Sequence, residues 1–293
     1  MTFCEPHRSV LYTPAVNEKA VLKGCSLPVD GLIFDLEDSV LPDEKIPARK
    51  LICRVLSENR QKFGNRKLIV RINSFDSGWG KEDLLAIATV HPTAILIPKV
   101  DSVSDLRRIT NLIDLEAMKI PLWAMIETSR GVLNAQEIAR DSANLEALVF
   151  GTNDLIEDIR GKISSDRKAL LGSLNHIVLV SRAYELLCLD GVFNFLDDEE
   201  GFKESCLQGR ELGFDGKTLI HPRQIDIANE VFSPTLAQIK EAKLKIKEFE
   251  RVTLLGRGVA VFNGQIIENL HVQAAKNLLE MAKKIKNLSN TDI

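Results

Sequence analysis

The feature that most limits what this chain can fold into is an alternation of short apolar runs with longer amphipathic stretches, repeated over about its first 220 residues. Eight runs stand out: Ser9–Tyr12, Leu32–Leu36, Leu68–Ile72, Ala94–Ile97, Leu122–Ile126, Ala147–Phe150, Val192–Phe195 and Thr218–Ile220. Helical patterns lie between them, among them Lys81–Thr89, Val103–Leu115, Ser129–Ala139, Arg167–Leu187 and Phe202–Leu212. Runs that are apolar throughout are buried on both faces, as strands of a parallel sheet are. Parallel neighbours need right-handed, usually helical, crossovers. Eight such units predict an α/β fold of the (β/α)8 TIM barrel class in preference to an open doubly wound sheet. The dinucleotide-binding form of the open sheet also lacks its signature, since no GxGxxG turn follows the first run.

The pattern changes after the eighth run. Pro234–Val252 reads as one long charged helix with Ser233 as its N-cap. Gly256, Gly258 and Gly264 then surround a hairpin-like segment, Val259–Phe262 with Ile266–Ile267. A last helix over His271–Ile285 runs into a polar, frayed tail, Lys286–Ile293. The expected organisation is a catalytic barrel over residues 1–232 and a C-terminal helical extension, or lid, over 233–293.

Composition narrows the function. With 38 Lys and Arg against 41 Asp and Glu, the net charge is −3, and there is no basic footprint for nucleic acid. A hydrophobic fraction of 45% supports a sizeable core. No apolar run reaches the roughly 20 residues that span a bilayer, so no membrane partner is expected. Met1 to Ser9 carries no apolar segment of a secretory signal. The five cysteines, Cys4, Cys25, Cys53, Cys188 and Cys206, are scattered and form neither a CxxC pair nor a disulfide ladder. Reduced thiols and a cytoplasmic location are the expectation.

Functional groups of a (β/α)8 barrel gather at the C-terminal ends of its strands. The residues at or just past the ends of six of the runs are Asp35, Glu37 and Asp38; Arg71 and Asn73; Lys99; Glu127; Asn153 and Asp154; and His221. Charges at these positions are costly to bury unless paired or metal-bound, so a polar pocket is expected at the rim. Glu127 and Asp154 end consecutive strands, which lie about 4.8 Å apart, so their carboxylates can converge on one hard cation. Two carboxylates with open positions suit Mg²⁺, with Mn²⁺ as the substitute; the alternative is that one of them caps a helix. Zinc lacks a His/Cys cluster here. Arg71 would face anionic groups of a substrate, or pair with Glu37 or Asp38, or both. His221, before Pro222, is expected only to hydrogen-bond at a strand end. Lys19 and Lys23 share a helix face after the first run, either as a solvated surface or as a phosphate anchor.

The stretches SVLYTP, DGLIFDLEDSV, VRINS, ILIPKV, IETSRGVLNA, LVFGTNDL, GFDGKTLIHPRQI and GRGVAVFNGQIIE occur in order from Ser9 to about Lys284. Together they resemble the citrate lyase β-subunit-like family of Mg²⁺-dependent acyl-CoA lyases, within the HpcH/HpaI aldolase superfamily. The resemblance implies a (β/α)8 barrel assembled as a homotrimer or hexamer, with Mg²⁺ on Glu127 and Asp154. It implies Arg71 at the substrate beside Glu37 and Asp38. LYTPAVNEKAVLK is similar to stand-alone citramalyl-CoA lyases, which implies Lys19 and Lys23 on coenzyme A phosphates. The chain departs from the pattern at Phe195, where the family usually has an aspartate, and at Leu170–Leu174, where an aromatic and an arginine are lost. Glu268 stands where a catalytic aspartate is expected.

The activity so implied is carbon–carbon cleavage of a 3-hydroxyacyl-CoA of the citramalyl-CoA or malyl-CoA type. Its products would be acetyl-CoA and an oxoacid, with the cation as Lewis acid and Glu268 as the group exchanging a proton with carbon. The alternatives are a malyl-CoA thioesterase or malate-synthase-like activity, a citrate lyase β subunit, and a non-catalytic homologue. Retention of Arg71, Glu127 and Asp154 argues against the last.

Overall fold

Alternate residues of each strand belong to different cores, and this parity decides which side chains reach the barrel interior. In β2 (Gly31–Asp35), Leu32 and Phe34 pack in the layer between sheet and helices, while Ile33 joins the inner core. In β3 (Lys67–Arg71), Leu68 and Val70 face the helices and Ile69 faces inward. The inner core, with Val10, Leu96, Trp123, Met125 and Val149, is buried, and each such side chain contributes about 1.5–3 kcal/mol by leaving water.

The computed structural model describes residues 5–113, 118–164, 166–254, 256 and 258–290. Cys4, Leu115 and the last three residues of the tail lie outside them. The remaining strands are β1 (Ser9–Pro14), β4 (Ala94–Ile97), β5 (Leu122–Ile126), β6 (Leu145–Phe150), β7 (Leu187–Asp190) and β8 (Gly216–Leu219). All eight are parallel and follow one another in chain order, with β8 pairing back onto β1 to close the barrel. The fold is the expected (β/α)8 barrel.

One strand differs from its expected position. β7 is Leu187–Asp190; Val192–Phe195 lies in the loop beyond it. The preceding helix runs over Leu171–Ala183 and stops short of the expected Leu187. Glu185, at φ +57, turns the chain with a left-handed residue that is not glycine, so the break carries no glycine signature. β7 ends in a fully buried charge. Asp190 accepts from Arg167 Nη1 at 2.6 Å and from Lys217 Nζ at 2.7 Å, and Arg167 Nη2 reaches the Ser205 carbonyl on helix Glu199–Leu212.

The chain packs as two compact units, the barrel over His7–Phe232 and a second over Ser233–Ile293 to which Glu5 and Pro6 belong. In the second unit the long helix spans Leu236–Thr253, and its N-cap is Thr235 instead of Ser233, because Thr235 and Gln238 form a reciprocal capping box. The hairpin β9 (Ala260–Phe262) and β10 (Gln265–Ile267) turns through Asn263 and Gly264, both at positive φ as a tight two-residue turn requires. The last helix spans Asn269–Asn290, so most of the expected tail is helical. Among the described residues no helix is long and apolar enough to cross a membrane.

Candidate active site

Arg71 organises the strand-end cleft. Parity carries it inward after Ile69, and it stands in register with Asp35 of β2. Its Nε donates to Asp35 Oδ1 at 2.6 Å and its Nη2 to Asp35 Oδ2 at 2.8 Å. This two-pronged pair takes the bidentate edge of the guanidinium. Nη1 is left toward Glu37 Oε2, at 3.0 Å, and Asp38 Oδ2, at 3.3 Å. The guanidinium also lies over the Tyr12 ring, 5.0 Å from its centroid. Burial opposes both charges, yet the mutual pairing wins: Arg71 is held well above its ordinary range and Asp35 below its own.

Glu127 follows β5 in the inward phase after Met125, and Asp154 lies in the first turn of helix Thr152–Asp158 after β6. Neither caps a helix. Thr128 accepts from the Gly131 N–H to cap helix Ser129–Asp141, and Gly151 is the N-cap of the helix that carries Asp154. The backbone N–H of Lys99 donates to Glu127 Oε1 at 2.9 Å, and Lys99 Nζ lies 3.3 Å from Asp154 Oδ2 and 3.9 Å from Glu37 Oε1. Burial, then the neighbouring charges of Asp154 and Glu37, push the Glu127 carboxyl up to about 8. Burial likewise pushes Glu37 up to about 7, against the pull of Arg71.

These groups border a cleft of about 370 Å³ lined by Tyr12, Asp35, Asp38, Arg71, Glu127, Thr152 and Asp154, among others. Glu37 stands behind the lining and touches Arg71 and Lys99. Two buried hydroxyls there, Tyr12 OH and Thr152 Oγ1, lack a hydrogen-bond partner among the described residues, and the buried Glu37 Oε2 meets Arg71 Nη1 in an ion pair. The crowded carboxylates, which outnumber the cations paired with them, and the orphaned hydroxyls fit a divalent cation and an oxygen-rich ligand. Among the described residues no three His, Cys, Asp or Glu side chains form a metal-binding group. A cation on Glu127 and Asp154 would therefore have open positions, the arrangement Mg²⁺ accepts.

The other expected residues are placed elsewhere. Lys19 and Lys23 are exposed on helix Glu18–Lys23, after β1, with no side-chain partner among the described residues. His221 caps a short 3₁₀ turn, its Nδ1 accepting from the Arg223 N–H, as a strand-end hydrogen bonder does. Asn73 is buried, donating to the Leu36 carbonyl and to Asp83. Asn153 pairs with Asn194. Phe195 and Leu170 line a smaller cavity that shares Thr152 and Val192 with the cleft. Glu268 is exposed at the end of β10 in the second unit, where its backbone N–H donates to His271 Nδ1. Sequence reading passed over Tyr12 and Gly151; the inward phase of SVLYTP and the glycine in LVFGTNDL were the available signals.

The model of the HpcH/HpaI aldolase/citrate lyase family matches residues 8–222, most of the chain. The chain belongs to this family. Its relatives in the family are enzymes. The chain is 46% identical over 280 residues to a (3S)-malyl-CoA thioesterase of Cereibacter sphaeroides, covering 96% of both chains. It is 31% identical over 283 residues to the citrate lyase subunit beta of Escherichia coli, covering 94% and 93%. Among solved structures of the family, CitE from Mycobacterium tuberculosis in complex with magnesium, acetoacetate and coenzyme A superposes with a TM-score of 0.77 at 25% identity, covering 94% and 97%.

Proposed function

We propose that this chain acts on the coenzyme A thioester of a 3-carboxy-3-hydroxy acid of the malyl-CoA or citramalyl-CoA type, with Mg²⁺ held by Glu127 and Asp154. The observation that carries this reading is the single cleft in which those two carboxylates and Arg71 converge, with Tyr12 OH and Thr152 Oγ1 unpartnered beside them. The magnesium complex of CitE supports the metal, and Mn²⁺ would substitute by its similar ligand preference. When bound, the cation supplies Lewis-acid stabilisation of the substrate's oxygens.

In the lyase reading the hydroxyl loses its proton and becomes the oxoacid carbonyl. The bond between the hydroxyl-bearing carbon and the carbon alpha to the thioester carbonyl breaks, and its electron pair forms the thioester enolate, whose alpha carbon then takes a proton. Arg71 Nη1, fixed by Asp35 and Tyr12 and flanked by Glu37 and Asp38, holds charge at the oxygen that becomes the keto group. Glu268 exchanges the proton with carbon from the lid of a neighbouring subunit in a homotrimer or hexamer, residues 233–293 of one subunit serving as that lid to the barrel of the next. Lys19 and Lys23 hold the coenzyme A phosphates. A cytoplasmic setting accords with the free thiols of Cys25, Cys53, Cys188 and Cys206.

The 46% identity to a (3S)-malyl-CoA thioesterase favours a second reading at the same site, attack of water on the thioester carbonyl with release of coenzyme A thiol. One incubation with (3S)-malyl-CoA and Mg²⁺ separates the two. Cleavage yields acetyl-CoA and glyoxylate without free thiol; hydrolysis yields malate and one equivalent of thiol. Neither product from malyl- or citramalyl-CoA overturns the proposal.

A further inference from the structure

Lys99 is one residue with two hands on the carboxylates of the cleft. Its backbone is left-handed, at φ +51, a conformation that an unbranched side chain tolerates but does not favour. That turn aims its N–H at Glu127 Oε1, at 2.9 Å, and brings its ammonium to Asp154 Oδ2, at 3.3 Å, with Glu37 Oε1 at 3.9 Å. The side chain is 46% exposed, so it can leave Asp154 for water without breaking into the core. Among the described residues, Asp35, Glu37, Asp38, Glu127 and Asp154 supply the acids here, while the cations touching them at the rim are Arg71 and Lys99, apart from Lys45, whose contacts are with the Leu36 and Glu37 carbonyls. Arg71 is anchored by its two bonds to Asp35, with Nη1 on Glu37 and Asp38, and has no ion pair to Glu127 or Asp154 among the described residues.

We infer that Lys99 is an internal cation that competes with the divalent metal for Asp154, and so sets how tightly the cleft holds it. The inference rests on the reading that Glu127 and Asp154 hold the metal. A +1 and a +2 charge drawn to one Oδ2 repel each other, and in a partly buried cleft that repulsion is far stronger than in water. Metal binding therefore displaces the ammonium, while the Lys99 N–H keeps Glu127 in place. Lys99 acts as a positioning residue with opposed effects: its backbone orders one ligand and its side chain weakens the hold on the other.

The sign of the effect is the test. Mg²⁺ alone is titrated calorimetrically into metal-stripped full-length protein at pH 8 and fixed ionic strength. Lys99→Met keeps the backbone N–H and removes the charge, and should bind Mg²⁺ about tenfold tighter or more, allowing for solvent screening. Lys99→Arg should return the affinity toward wild type. In EDTA, Lys99→Met should melt below wild type and gain more from added Mg²⁺. If the methionine variant does not fold, Lys99→Gly, which accepts the left-handed backbone, carries the same titration. Equal or weaker binding in the uncharged variant overturns the competition while leaving the metal reading intact. No Mg²⁺ binding in wild type or variants overturns the metal reading, and the competition with it.

Discussion

Gly151 and Glu127 occupy adjoining strand ends with no space between them for a methyl group. A Cβ built on Gly151 would overlap Glu127 Cβ and stand 2.6 Å from its Oε2. The Gly151 N–H also donates to the Ile126 carbonyl at 3.0 Å, which fixes the spacing from the backbone side. The carboxylate thus keeps its orientation because residue 151 has no side chain.

Gly151→Ala is expected to push the Glu127 carboxylate off its position while leaving the barrel closed. Turnover at saturating substrate should fall by about 100-fold, since displacing a reacting group by an ångström has that effect. Calorimetry should show weaker Mg²⁺ binding, and circular dichroism an unchanged fold. Wild-type metal affinity in this variant would sever the link between the glycine and the ligand.

Metal affinity should depend on pH through Glu127. With its carboxyl near 8, the metal-free protein holds a proton there at neutral pH, and a bound cation must expel it. The apparent Mg²⁺ affinity should therefore fall as pH drops below 8, by up to about tenfold per unit for one proton. The stability sign is opposite to that of an ordinary surface carboxylate. Because its folded value is raised from 4.5 to about 8, the metal-free fold loses stability as pH rises between those values. Glu127→Gln should remove this loss, melting above wild type in EDTA at pH 8.5 and close to it at pH 5, and should no longer respond to Mg²⁺. Titrations in buffers of different ionisation enthalpy count the proton; none released at pH 7 would contradict the assignment.

Arg71→Lys keeps the charge but cannot grip Asp35 with two parallel bonds or lie flat over Tyr12. It should cost stability as well as activity, with loss of a buried paired charge destabilising by about 3–5 kcal/mol at the upper limit. A substrate-facing role predicts a further drop in kcat when Asp35→Asn is compared with Arg71→Lys at equal melting temperature. Equal kcat in the two would reduce Arg71 to a structural ion pair.

The barrel was legible because strands buried on both faces leave unbroken apolar runs, and Ala94–Ile97 and Leu122–Ile126 have the same bounds in sequence and structure. β7 was not, because Leu186, Leu187, Cys188 and Leu189 prolong the apolar phase of the preceding helix and the break falls at Glu185, whose backbone geometry leaves no compositional trace. The rim carboxylates were legible as charges following apolar runs. What the linear pattern hid was partnership: that Asp35 takes the fork of Arg71, that Glu37 stands behind the cleft, and that Lys99 reaches across two strands. Such contacts join residues about 30 or more positions apart, and their geometry comes from barrel closure.

Lys19 and Lys23 project from helix Glu18–Lys23 with no side-chain partner among the described residues, so reversing both to glutamate removes nothing internal. If they anchor coenzyme A phosphates, KM for the acyl-CoA should rise much more than kcat falls, because such contacts are equal in ground and transition states. The difference from wild type should shrink in high salt. An unchanged KM at low ionic strength would return the pair to the solvated surface.

Glu268 stands at the end of β10, exposed, where its backbone N–H donates to His271 Nδ1 and its carbonyl accepts from the His271 and Val272 N–H groups. Its carboxylate has no partner among the described residues, which leaves it available to a site supplied by another subunit. Glutamate is one methylene longer than the aspartate that the family resemblance leads one to expect, so the carboxylate reaches further from the hairpin. As general acid in cleavage and base in condensation, it should contribute at least about 100-fold, so Glu268→Ala should lower kcat by that factor and leave Mg²⁺ affinity unchanged. Glu268→Asp should recover part of the rate if the hairpin closes far enough. The decisive measurement mixes two inactive proteins, Glu268→Ala and Asp154→Ala, under conditions that allow subunits to exchange. A shared site regains activity in the mixture, because some interfaces combine an intact Asp154 with an intact Glu268. If kcat of Glu268→Ala equals wild type, the residue belongs to the surface and the proton comes from the barrel rim, where Asp38 and the phenol of Tyr12 line the cleft.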